Sequence, residues 1–556
     1  MSIVYMKVLE AEPSKFDEAF QKLSPGVRQA YEHVLETMRA GKEKKLWRIL
    51  EIGSGTGYLS RRIADEFDCL YTGIDISTEM VAYAKAAKSS EATTMQFFAA
   101  DFIHMDLQEL ETQEFDLIIS TFTLSELRIV EKRLFLQRIK KLFATDGLAI
   151  IADEITPRGL KRVVVGPKRF LYSQLALVKV GKTTYPLQQF PALLREEGLK
   201  TISDRKLAGS IHVWNVRKED QALEPPIALL RAALGSFVGL KVAYCALNGV
   251  MTRKAIKPGI YAIGSPDKTS PVIVTANYYW TVARVAKRLL KKGVNLWVLV
   301  IDSSGINVWC AAGGGHFTAE RVLNALRAFH VQNRLEKKTL ILPQLCATGV
   351  DHQVLLKQGW KVHWGPVDIK DLPAYLENDL SAQADERLVK FPLGYRLIMG
   401  IQHAIFFTLY LLIGAFFSLF GSLFFYDQGM FWFNVFLTFI LLSIVFSLMW
   451  SGVLLNFPLK SYFQNSVLFG AIAGLAAILW LLFETRDLNS ETVIFWTLAI
   501  AVIALVNALD FAGHTHFTAV TQFEADLTTG GIFVVIFFLL MFLIGLTGQV
   551  EYISIV

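Results

Sequence analysis

Two kinds of hydrophobic pattern divide the chain. Up to about residue 390, apolar runs of strand length alternate with amphipathic stretches of helical length, which is the pattern of α/β domains. Beyond that point the apolar runs become much longer and polar residues become rare. Each long run is near the roughly 20 residues that a bilayer-crossing helix needs. The sequence therefore predicts an all-α C-terminal bundle of five transmembrane helices, at about residues 402–424, 430–454, 466–484, 492–510 and 530–548.

Changes in composition indicate where the domains begin and end. Two segments carry the alternating strand and helix pattern, and the stretch between them is charged and then contains Pro225-Pro226, which is typical of a linker. We therefore predict an α/β Rossmann-like domain at 1–218, a linker at 219–239, a second α/β domain at 240–385 and the transmembrane domain at 386–556.

A glycine-rich turn follows the first predicted strand, 47–52, and opens a helix predicted at 58–67. Such a turn brings backbone N–H groups close to a bound cofactor. Its GxGxG spacing differs from the GxGxxG of NAD sites, and Glu51 lies inside the strand. Four residues of the turn are candidates for cofactor contact: Gly53, Ser54, Gly55 and Gly57.

Acidic residues follow the next two predicted strands. Asp75 and Ile76 come after the second strand, where the carboxylate can accept hydrogen bonds from both hydroxyls of a ribose. Asp101 and Phe102 come after the third strand, and this pair can place an amide acceptor and an aromatic ring beside an adenine. All four are candidate cofactor-binding residues.

Together these motifs resemble those of class I S-adenosylmethionine (SAM) methyltransferases across nearly the whole of residues 1–218. The resemblance implies that SAM is the cofactor and that it contacts Glu51, Gly53, Gly55, Gly57, Asp75 and Asp101. No catalytic base is obvious. Glu126 and His212 are candidates, with a structural role as the alternative for each. A strong nucleophile would need no base, and proximity alone can also suffice.

The second α/β domain is predicted to contain a parallel sheet, with a basic helix at 281–292 between its first two strands. Its strands are predicted at 270–276, 296–301, 338–342 and 361–364. Residues 307–317 are predicted as a loop at the carboxyl end of the second of these strands, with Thr318 as a possible N-cap of the next helix. Cys310 on this loop could bind a soft metal as a thiolate. A packed core cysteine is the alternative, and it is also the alternative for Cys346.

The run from Gly305 to Gly313, Gly-Ile-Asn-Val-Trp-Cys-Ala-Ala-Gly, resembles the cap-helix signature of the mercury-methylating corrinoid protein family (HgcA-like), whose corrinoid domain is of the CO dehydrogenase/acetyl-CoA synthase type. Four flanking segments and the five predicted spans are similar to that family as well. One position departs from its pattern: the family's lysine after Ala-Ala-Gly is Gly314 here, at a position that bears on the methyl acceptor.

This second resemblance implies a cobalamin (corrinoid) cofactor, with Cys310 as the catalytic residue and as the lower axial ligand of cobalt. The Asp-x-His-x-x-Gly pattern of corrinoid modules that use histidine does not occur in the sequence, which agrees with a cysteine ligand. The residues implied to line the corrinoid are Thr275, Asn277, Asn307, Val308, Trp309, Ala311, Ala312 and Gly313.

Composition indicates which classes of binding partner the chain is suited to. Hydrophobic residues make up 53% of the chain and charged residues 19%, which suits a membrane protein. The net charge of +6 is mild and does not indicate nucleic-acid binding. The four cysteines form no CxxC pair, which excludes an internal ferredoxin-type iron–sulfur cluster. Electrons for Co(I) would therefore come from an external ferredoxin-like iron–sulfur donor, as the resembled family also implies.

The charges around the predicted spans indicate an orientation. The loop at 426–429 has no basic residue, whereas three precede the first span: Arg387, Lys390 and Arg396. By the positive-inside rule the soluble domains face the cytoplasm from a multi-pass position in the cytoplasmic membrane. The loop between the fourth and fifth spans would lie on the same side. Its His514 and His516 could bind a metal weakly, or the loop could simply contact the soluble domain.

The sequence thus favours a membrane-anchored, corrinoid-dependent methyltransferase that passes methyl from SAM to Co(I) and on to an acceptor, with Hg(II) or another soft metal or metalloid as the candidate acceptor. In the first alternative, the SAM domain methylates a separate small molecule and the corrinoid-binding membrane module is independent. In the second, the protein binds or traffics corrinoid without catalysis.

Overall fold

The structure is a computed structural model. It describes residues 13–16, 25–41, 44–87, 94–156, 185–208, 210–219, 228–248, 254–390, 392–453, 462–483, 488–514 and 550. The chain forms two compact units. The first comprises Met1–Ile227 together with Asn324–His330, and the second comprises Ala228–Leu323 and Val331–Val556.

The first unit is built on a seven-stranded sheet in the order β3-β2-β1-β4-β5-β7-β6. Its strands are β1 (Trp47–Ile52), β2 (Cys69–Asp75), β3 (Thr94–Ala99), β4 (Phe115–Thr121), β5 (Phe143–Glu154), β6 (Leu199–Lys206) and β7 (Ile211–Lys218). Its helices are α1 (Pro25–Ala40), α2 (Tyr58–Ala64), α3 (Thr78–Ala86), α4 (Gln108–Glu111), α5 (Ile129–Lys140) and α6 (Phe190–Glu196). Strands β1 to β5 are parallel, and β7 runs antiparallel to both β5 and β6. This arrangement confirms the predicted α/β Rossmann-like fold.

The period of two along β1 decides which side chains can reach a ligand. Leu50 and Ile52 join one hydrophobic cluster and Ile49 joins the other, because successive side chains of a strand point to opposite faces. Glu51 therefore lies on the face of Ile49, within a sheet that is covered on both sides. Its side chain is buried in the first unit.

The second unit contains a six-stranded sheet in the order β13-β12-β10-β11-β9-β8. Its strands are β8 (Ala228–Leu229), β9 (Gly259–Ile263), β10 (Val272–Ala276), β11 (Leu296–Ile301), β12 (Thr339–Leu342) and β13 (Lys361–Trp364). Its helices before the apolar segment are α7 (Leu230–Leu234), α8 (Val238–Asn248), α9 (Tyr279–Leu290), α10 (Val308–Gly313), α11 (Ala319–Ala328), α12 (His352–Lys357) and α13 (Leu372–Glu377).

The predicted parallel sheet is present but is not the whole sheet. Strands β10, β11, β12 and β13 are parallel, whereas β9 pairs antiparallel with β11. Residues predicted as linker also take part. Strand β8 and helix α7 lie within 219–239, and Leu230 and Leu234 are buried in the core of the second unit.

Four long apolar helices follow: α14 (Leu393–Gly421), α15 (Tyr426–Val453), α16 (Tyr462–Phe483) and α17 (Ser490–His514). Each is long and apolar enough to cross a membrane. They correspond to the first four predicted spans, although α14 begins well before residue 402, because backbone hydrogen bonding continues beyond the most apolar residues. The predicted fifth span, 530–548, lies outside the described residues, as does His516.

A buried polar network connects three of these helices. Asn507 on α17 accepts hydrogen bonds through Oδ1 from Ser443 Oγ at 2.8 Å and from Ser447 Oγ at 2.9 Å, both on α15. Ser447 Oγ also lies 2.9 Å from Nδ1 of His403 on α14. Asn507 Nδ2 donates to the carbonyl oxygen of Ile503. Hydrogen bonds of this kind hold apolar helices together where no water competes.

Replacing Asn507 with Ala is expected to lower the free energy of unfolding of this helical bundle by about 1–2 kcal/mol, because two interhelical hydrogen bonds are lost and two serine hydroxyls lose their partner. The measurement is the unfolding midpoint in mixed micelles with increasing denaturing detergent. Ser490→Ala, which removes an exposed hydroxyl at the start of α17, is the control. Equal midpoints for the two variants would contradict a stabilising role of the network.

Candidate functional site

The glycine-rich turn ties the carboxyl ends of β1 and β2 together. The backbone N–H groups of Gly53 and Ser54 donate to the carbonyl oxygen of Ile74 at 2.7 and 3.1 Å. The N–H of Gly55 donates to Asp75 Oδ2 at 2.8 Å. All three glycines of the turn have positive φ, a conformation that side chains with a Cβ disfavour: Gly53 at 79°, Gly55 at 53° and Gly57 at 70°.

The two sides of the turn differ in the space around them. A Cβ on Gly53 would lie 1.9 Å from Thr123 Oγ1, whereas a Cβ on Gly55 would meet nothing within 4 Å. Gly53 therefore packs against protein, and Gly55 borders open space. Between them, the hydroxyl of Ser54 is buried and has no hydrogen-bond partner in the described part of the chain. A ligand held at this turn could supply one.

Asp75 holds the turn and keeps further acceptor capacity. Its Oδ1 accepts from the N–H of Ser77 at 2.9 Å, while its Oδ2 is bound to Gly55. Burial raises the pKa of Asp75, and the hydrogen bonds from Ser77 and Gly55 oppose that rise. Each carboxylate oxygen can accept a second hydrogen bond, which leaves room for two hydroxyl donors. The side chain of Ile76, next to it, is 68% exposed.

Asp101 and Phe102 are placed differently from one another. Asp101 follows β3, its Oδ1 accepts from the N–H of Ile103 at 2.8 Å, and its Oδ2 lies 2.7 Å from Nδ1 of His104. Phe102 is buried, and its ring packs edge-on against Phe135 at 5.4 Å between centroids. Ile76 and Phe98 are thus exposed apolar residues near this edge of the sheet, whereas Phe102 belongs to the core.

Glu51 lies inside the first unit, away from solvent. Its carboxyl accepts a hydrogen bond from the hydroxyl of Tyr71. Burial raises the pKa of Glu51 to about 8, with a smaller opposing contribution from the Tyr71 hydrogen bond. This carboxyl therefore supports the strand pair β1 and β2 from the buried face of the sheet.

The two candidate bases occupy different kinds of position. His212 lies on β7, with Nδ1 3.3 Å from Asp204 Oδ1 and its ring 5.6 Å from that of Trp214. Glu126 lies in the single turn of 3₁₀ helix, Leu124–Glu126, that follows β4.

Sequence analysis missed Asp153, near the end of β5, which accepts from the N–H of Ser125 at 2.8 Å. Burial raises its pKa to about 6. The sequence did contain a signal for this residue, since Asp153 directly follows the apolar run of β5.

In the second unit, Cys310 lies on helix α10. The sequence predicted a loop here, and that prediction was wrong, because Asn307 caps a short helix: its Oδ1 accepts from the N–H of Cys310 at 3.0 Å. The Nδ2 of Asn307 lies 3.5 Å from Cys310 Sγ. The prediction of a helix cap at Thr318 was correct, since its Oγ1 accepts from the N–H of Arg321 at 3.3 Å.

Asn277, directly after β10, organises the segment that leads into α10. Its Oδ1 accepts three hydrogen bonds: from Ser303 N–H at 3.1 Å, from Ser303 Oγ at 2.8 Å and from Gly305 N–H at 2.9 Å. Its Nδ2 lies 3.4 Å from Asp302 Oδ1. Thr275, two residues earlier and within β10, is buried. Asn277 thus holds the segment that leads to Cys310, and Thr275 lies in the strand before it.

The residues of α10 divide between two faces. Val308, Ala311 and Ala312 are buried, and a Cβ on Gly349 would lie 2.5 Å from the carbonyl oxygen of Ala312, so this face packs closely against the neighbouring turn. Residues on the other face are accessible to a ligand, in part or fully: Asn307, Trp309, Cys310 and Gly313.

Cys310 is the one cysteine of the chain that is not buried. Its surroundings still raise the pKa of its thiol to about 11, chiefly through burial, and the hydrogen bond from Asn307 opposes the rise. Cys346 is buried and donates to the carbonyl oxygen of Pro343 at 3.1 Å, as expected of a core cysteine. In the described residues, no group of three or more His, Cys, Asp or Glu side chains is arranged to hold a metal.

Comparison with known proteins separates the same two parts of the chain. Residues 43–199 match the model of a methyltransferase domain. Residues 251–376 match the model of the CO dehydrogenase/acetyl-CoA synthase delta subunit. The chain therefore carries a methyltransferase domain and a domain of the CO dehydrogenase/acetyl-CoA synthase type.

The curated relatives include subunits of the acetyl-CoA decarbonylase/synthase complex. The chain is 34% identical over 135 residues to the acetyl-CoA decarbonylase/synthase complex subunit gamma of Methanopyrus kandleri, which is 24% of this chain and 29% of that protein. It is 27% identical over 259 residues to subunit gamma 2 of Methanosarcina thermophila, 42% of this chain and 53% of that protein. The matches thus span about half the length of these relatives or less.

Among solved structures, magnesium protoporphyrin IX methyltransferase from Synechocystis PCC 6803 with bound SAH is similar to this chain. The sequence identity is 17% and the TM-score 0.28, over 35% of this chain and 84% of that one.

Gly53→Ala and Gly55→Ala form a matched pair that separates folding from ligand binding. Both place a Cβ at positive φ, which costs about 1 kcal/mol of stability. Gly53→Ala should lower the free energy of unfolding by about 3 kcal/mol or more, because Thr123 blocks the new methyl group. Gly55→Ala should leave the first unit folded but reduce SAM binding, because its methyl group enters the open space. Thermal unfolding and titration calorimetry with SAM measure the two effects. Equal loss of stability in both variants would contradict this assignment.

Glu51→Gln should change how stability depends on pH. The folded chain holds a proton on Glu51 up to pH about 8, whereas the ordinary pKa is 4.5. Since the folded state then binds more protons than the unfolded state, the contribution of this group to the free energy of unfolding falls as pH rises between these values, by at most about 1.4 kcal/mol per pH unit. Glutamine keeps an acceptor for Tyr71 but cannot titrate.

The measurement is the denaturant midpoint of the first unit at about pH 6 and about pH 8. The difference between the two midpoints should be smaller in Glu51→Gln than in the unmodified protein. Glu109→Gln, at an exposed position, should leave the difference unchanged. A Glu51→Gln protein with an undiminished difference would show that Glu51 does not titrate in this range.

Proposed function

We propose that this protein is a corrinoid-dependent methyltransferase that carries methyl from SAM to a corrinoid held by its second unit, and from there to an acceptor. The observation that supports the proposal most strongly is the join of two domains in one chain: a methyltransferase domain, and a domain of the CO dehydrogenase/acetyl-CoA synthase type that presents Cys310 at the carboxyl end of β11. A donor domain and a receiving domain in one chain act at a high effective concentration.

On the methyltransferase side, we assign SAM to the glycine-rich turn. Backbone at Gly55 borders open space, the hydroxyl of Ser54 needs a partner, and Asp75 has acceptor capacity for ribose hydroxyls. Ile76 offers an exposed apolar surface beside Asp75 that suits a flat base. In this proposal Glu51 and Phe102 support the site from within and do not contact SAM.

On the corrinoid side, the residues present fit a corrinoid with a thiolate ligand. Cys310 is partly exposed, Nδ2 of Asn307 lies 3.5 Å from its Sγ, and a Cβ on Gly313 would meet nothing within 4 Å, so a flat ligand can approach this end of α10. A bound corrinoid would supply methyl-transfer chemistry at its cobalt, and Cys310 would be the thiolate that holds the metal. The chain's part would be to hold the corrinoid through Cys310 and to fix the position of that thiol through Asn307.

The acceptor we propose is a soft metal ion or metalloid, with Hg(II) first by resemblance to the mercury-methylating family. Gly314 replaces that family's lysine. The φ of Gly314 is −92°, and a Cβ there would lie 3.2 Å from the carbonyl oxygen of Cys310. The backbone would thus accept a lysine after a small adjustment, so the glycine is not required by local geometry and its effect concerns the acceptor.

We further propose that α14 to α17 anchor the protein in the cytoplasmic membrane, in contact with lipid, with the soluble domains facing the cytoplasm. The distribution of basic residues before α14 supports this orientation. A ferredoxin-like iron–sulfur protein is the proposed electron donor, because the chain has no CxxC pair from which to build such a cluster.

A second candidate function is methylation of a separate small molecule by the first unit. The observation that favours it is the division of the chain into two compact units, each with its own sheet and core. In that case the corrinoid-binding membrane module would be independent of the SAM domain.

The test incubates the full-length protein with cobalamin, a strong reductant and methyl-labelled SAM, and follows both the visible spectrum and the label. We expect the label on the corrinoid and a spectrum that changes in Cys310→Ala, because the thiolate ligand is lost. Cys346→Ala removes a buried thiol and should keep the spectrum of the unmodified protein. Bound corrinoid without label would favour the second function, and an unchanged spectrum in Cys310→Ala would exclude Cys310 as the ligand.

A further inference from the structure

Helix α8 and the residue before it carry an exposed apolar face. Phe237 is 78% exposed and Leu240 72% exposed, and Tyr244 is also exposed. The spacings of three and four residues place Leu240 and Tyr244 one turn apart on the same side of the helix, with Phe237 at its start. Three large apolar side chains in one exposed row are unusual for a surface that faces only water.

This face is continuous with the apolar C-terminal helices. Helix α8 packs against α14, which is the first of the helices long and apolar enough to cross a membrane. The chain just before and at the start of α14 also exposes apolar side chains, those of Leu388 and Leu393. The exposed apolar row is therefore carried by a helix that packs against the first candidate membrane span.

Cations accompany the apolar face of α8. Lys241 Nζ lies 5.7 Å from the centroid of the Tyr279 ring. Lys254 Nζ lies 5.7 Å from the centroid of the Tyr244 ring and 5.5 Å from that of Tyr279. Helices with aromatic and leucine side chains on one face and lysines beside them bind at the interface of a bilayer, with the apolar face among acyl chains and the cations at the lipid phosphates.

We infer that α8 is an interfacial helix, whose occupant is the lipid surface on the side of the membrane that faces the soluble domains. The inference rests on the proposed membrane insertion of α14 to α17 and adds to it a second, in-plane contact with lipid. Phe237, Leu240 and Tyr244 enter the boundary of headgroups and acyl chains, and Lys241 and Lys254 lie at the level of the phosphates.

The helix is also tied to the residues that organise the Cys310 segment. The hydroxyl of Tyr278 donates to the carbonyl oxygen of Cys245 on α8 at 3.3 Å, and Tyr278 directly follows Asn277. The hydroxyl of Tyr279 donates to the carbonyl oxygen of Leu234 at 2.9 Å, just before α8. The lipid contact of α8 would thereby hold the carboxyl edge of the second sheet close to the membrane surface.

The test uses nitroxide labels on single cysteines in full-length protein in nanodiscs of phosphatidylcholine and phosphatidylglycerol. Cys310→Ala serves as the background, since the other three native cysteines are buried. Labels are placed at Leu240, at Phe416, an exposed residue in the apolar part of α14, and at Leu356, an exposed leucine on α12. Power-saturation spectroscopy then compares collisions with oxygen, which concentrates in lipid, and with a water-soluble nickel chelate. Tyr244→Cys provides a second position on α8 if Leu240→Cys does not fold.

We expect the ratio of oxygen to nickel accessibility at Leu240 to be shifted towards the value at Phe416 and away from that at Leu356. A lipid-like value at Phe416 with a water-like value at Leu240 would overturn the interfacial helix alone. A water-like value at Phe416 would overturn the membrane insertion on which it rests. Protection of Leu240 from both reagents would show a protein contact and would likewise overturn the inference.

Discussion

The carboxyl end of a parallel strand leaves backbone N–H groups without strand partners, and in each unit one polar side chain satisfies several of them. In the first unit Asp75 accepts from the N–H groups of Gly55 and Ser77. In the second unit Asn277 accepts from two backbone N–H groups that follow β11. The turn at Gly55 and the segment that leads to Cys310 are both held in this way. Without these acceptors the buried donors would be unpaired, at a cost of about 1–3 kcal/mol each, and the loops would lose their shape.

The same hydrogen bonds also determine how much acceptor capacity each side chain keeps for a ligand. Oδ1 of Asn277 already receives three donors, so its contribution is to hold the segment that leads to Cys310. Asp75 receives one donor on each oxygen and can accept more. Two residues at the carboxyl ends of their strands therefore differ in function. Asp75 can both hold its turn and accept hydrogen bonds from a ligand, whereas Asn277 mainly holds the segment after β11. Glu51 differs for another reason, because it is buried inside the sheet, where it accepts from the hydroxyl of Tyr71.

Hydrophobic pattern predicted the parallel core of both sheets well, because buried parallel strands are continuous apolar runs: β1, β11 and β13 have the predicted bounds. It missed β6, whose residues after Leu199 are mostly exposed and polar, since an edge strand is defined by pairing and not by burial. It also missed that α10 is helical. Composition alone does not distinguish a loop from a helix of six residues. Here the helix begins because the Cys310 N–H donates a hydrogen bond to Asn307. The direction of side chains outside the strands was the least predictable feature. Phe102 lies in the turn after β3, and tertiary packing, which the local pattern does not contain, places its ring in the core.

The chemistry proposed for Cys310 depends on a competition between a proton and a metal. With its pKa raised to about 11, the thiol keeps its proton near neutral pH when no metal is bound. A soft, positively charged metal can displace that proton, and each ligation event then releases it, so occupancy by the metal increases with pH until the proton no longer competes. Nδ2 of Asn307, 3.5 Å from Sγ, favours the thiolate form by donating to it. Asn307, which caps the start of α10, therefore also affects the thiol. Its Oδ1 accepts from the Cys310 N–H and its Nδ2 donates to Cys310 Sγ, so the position of the backbone and the stability of the thiolate depend on the same side chain.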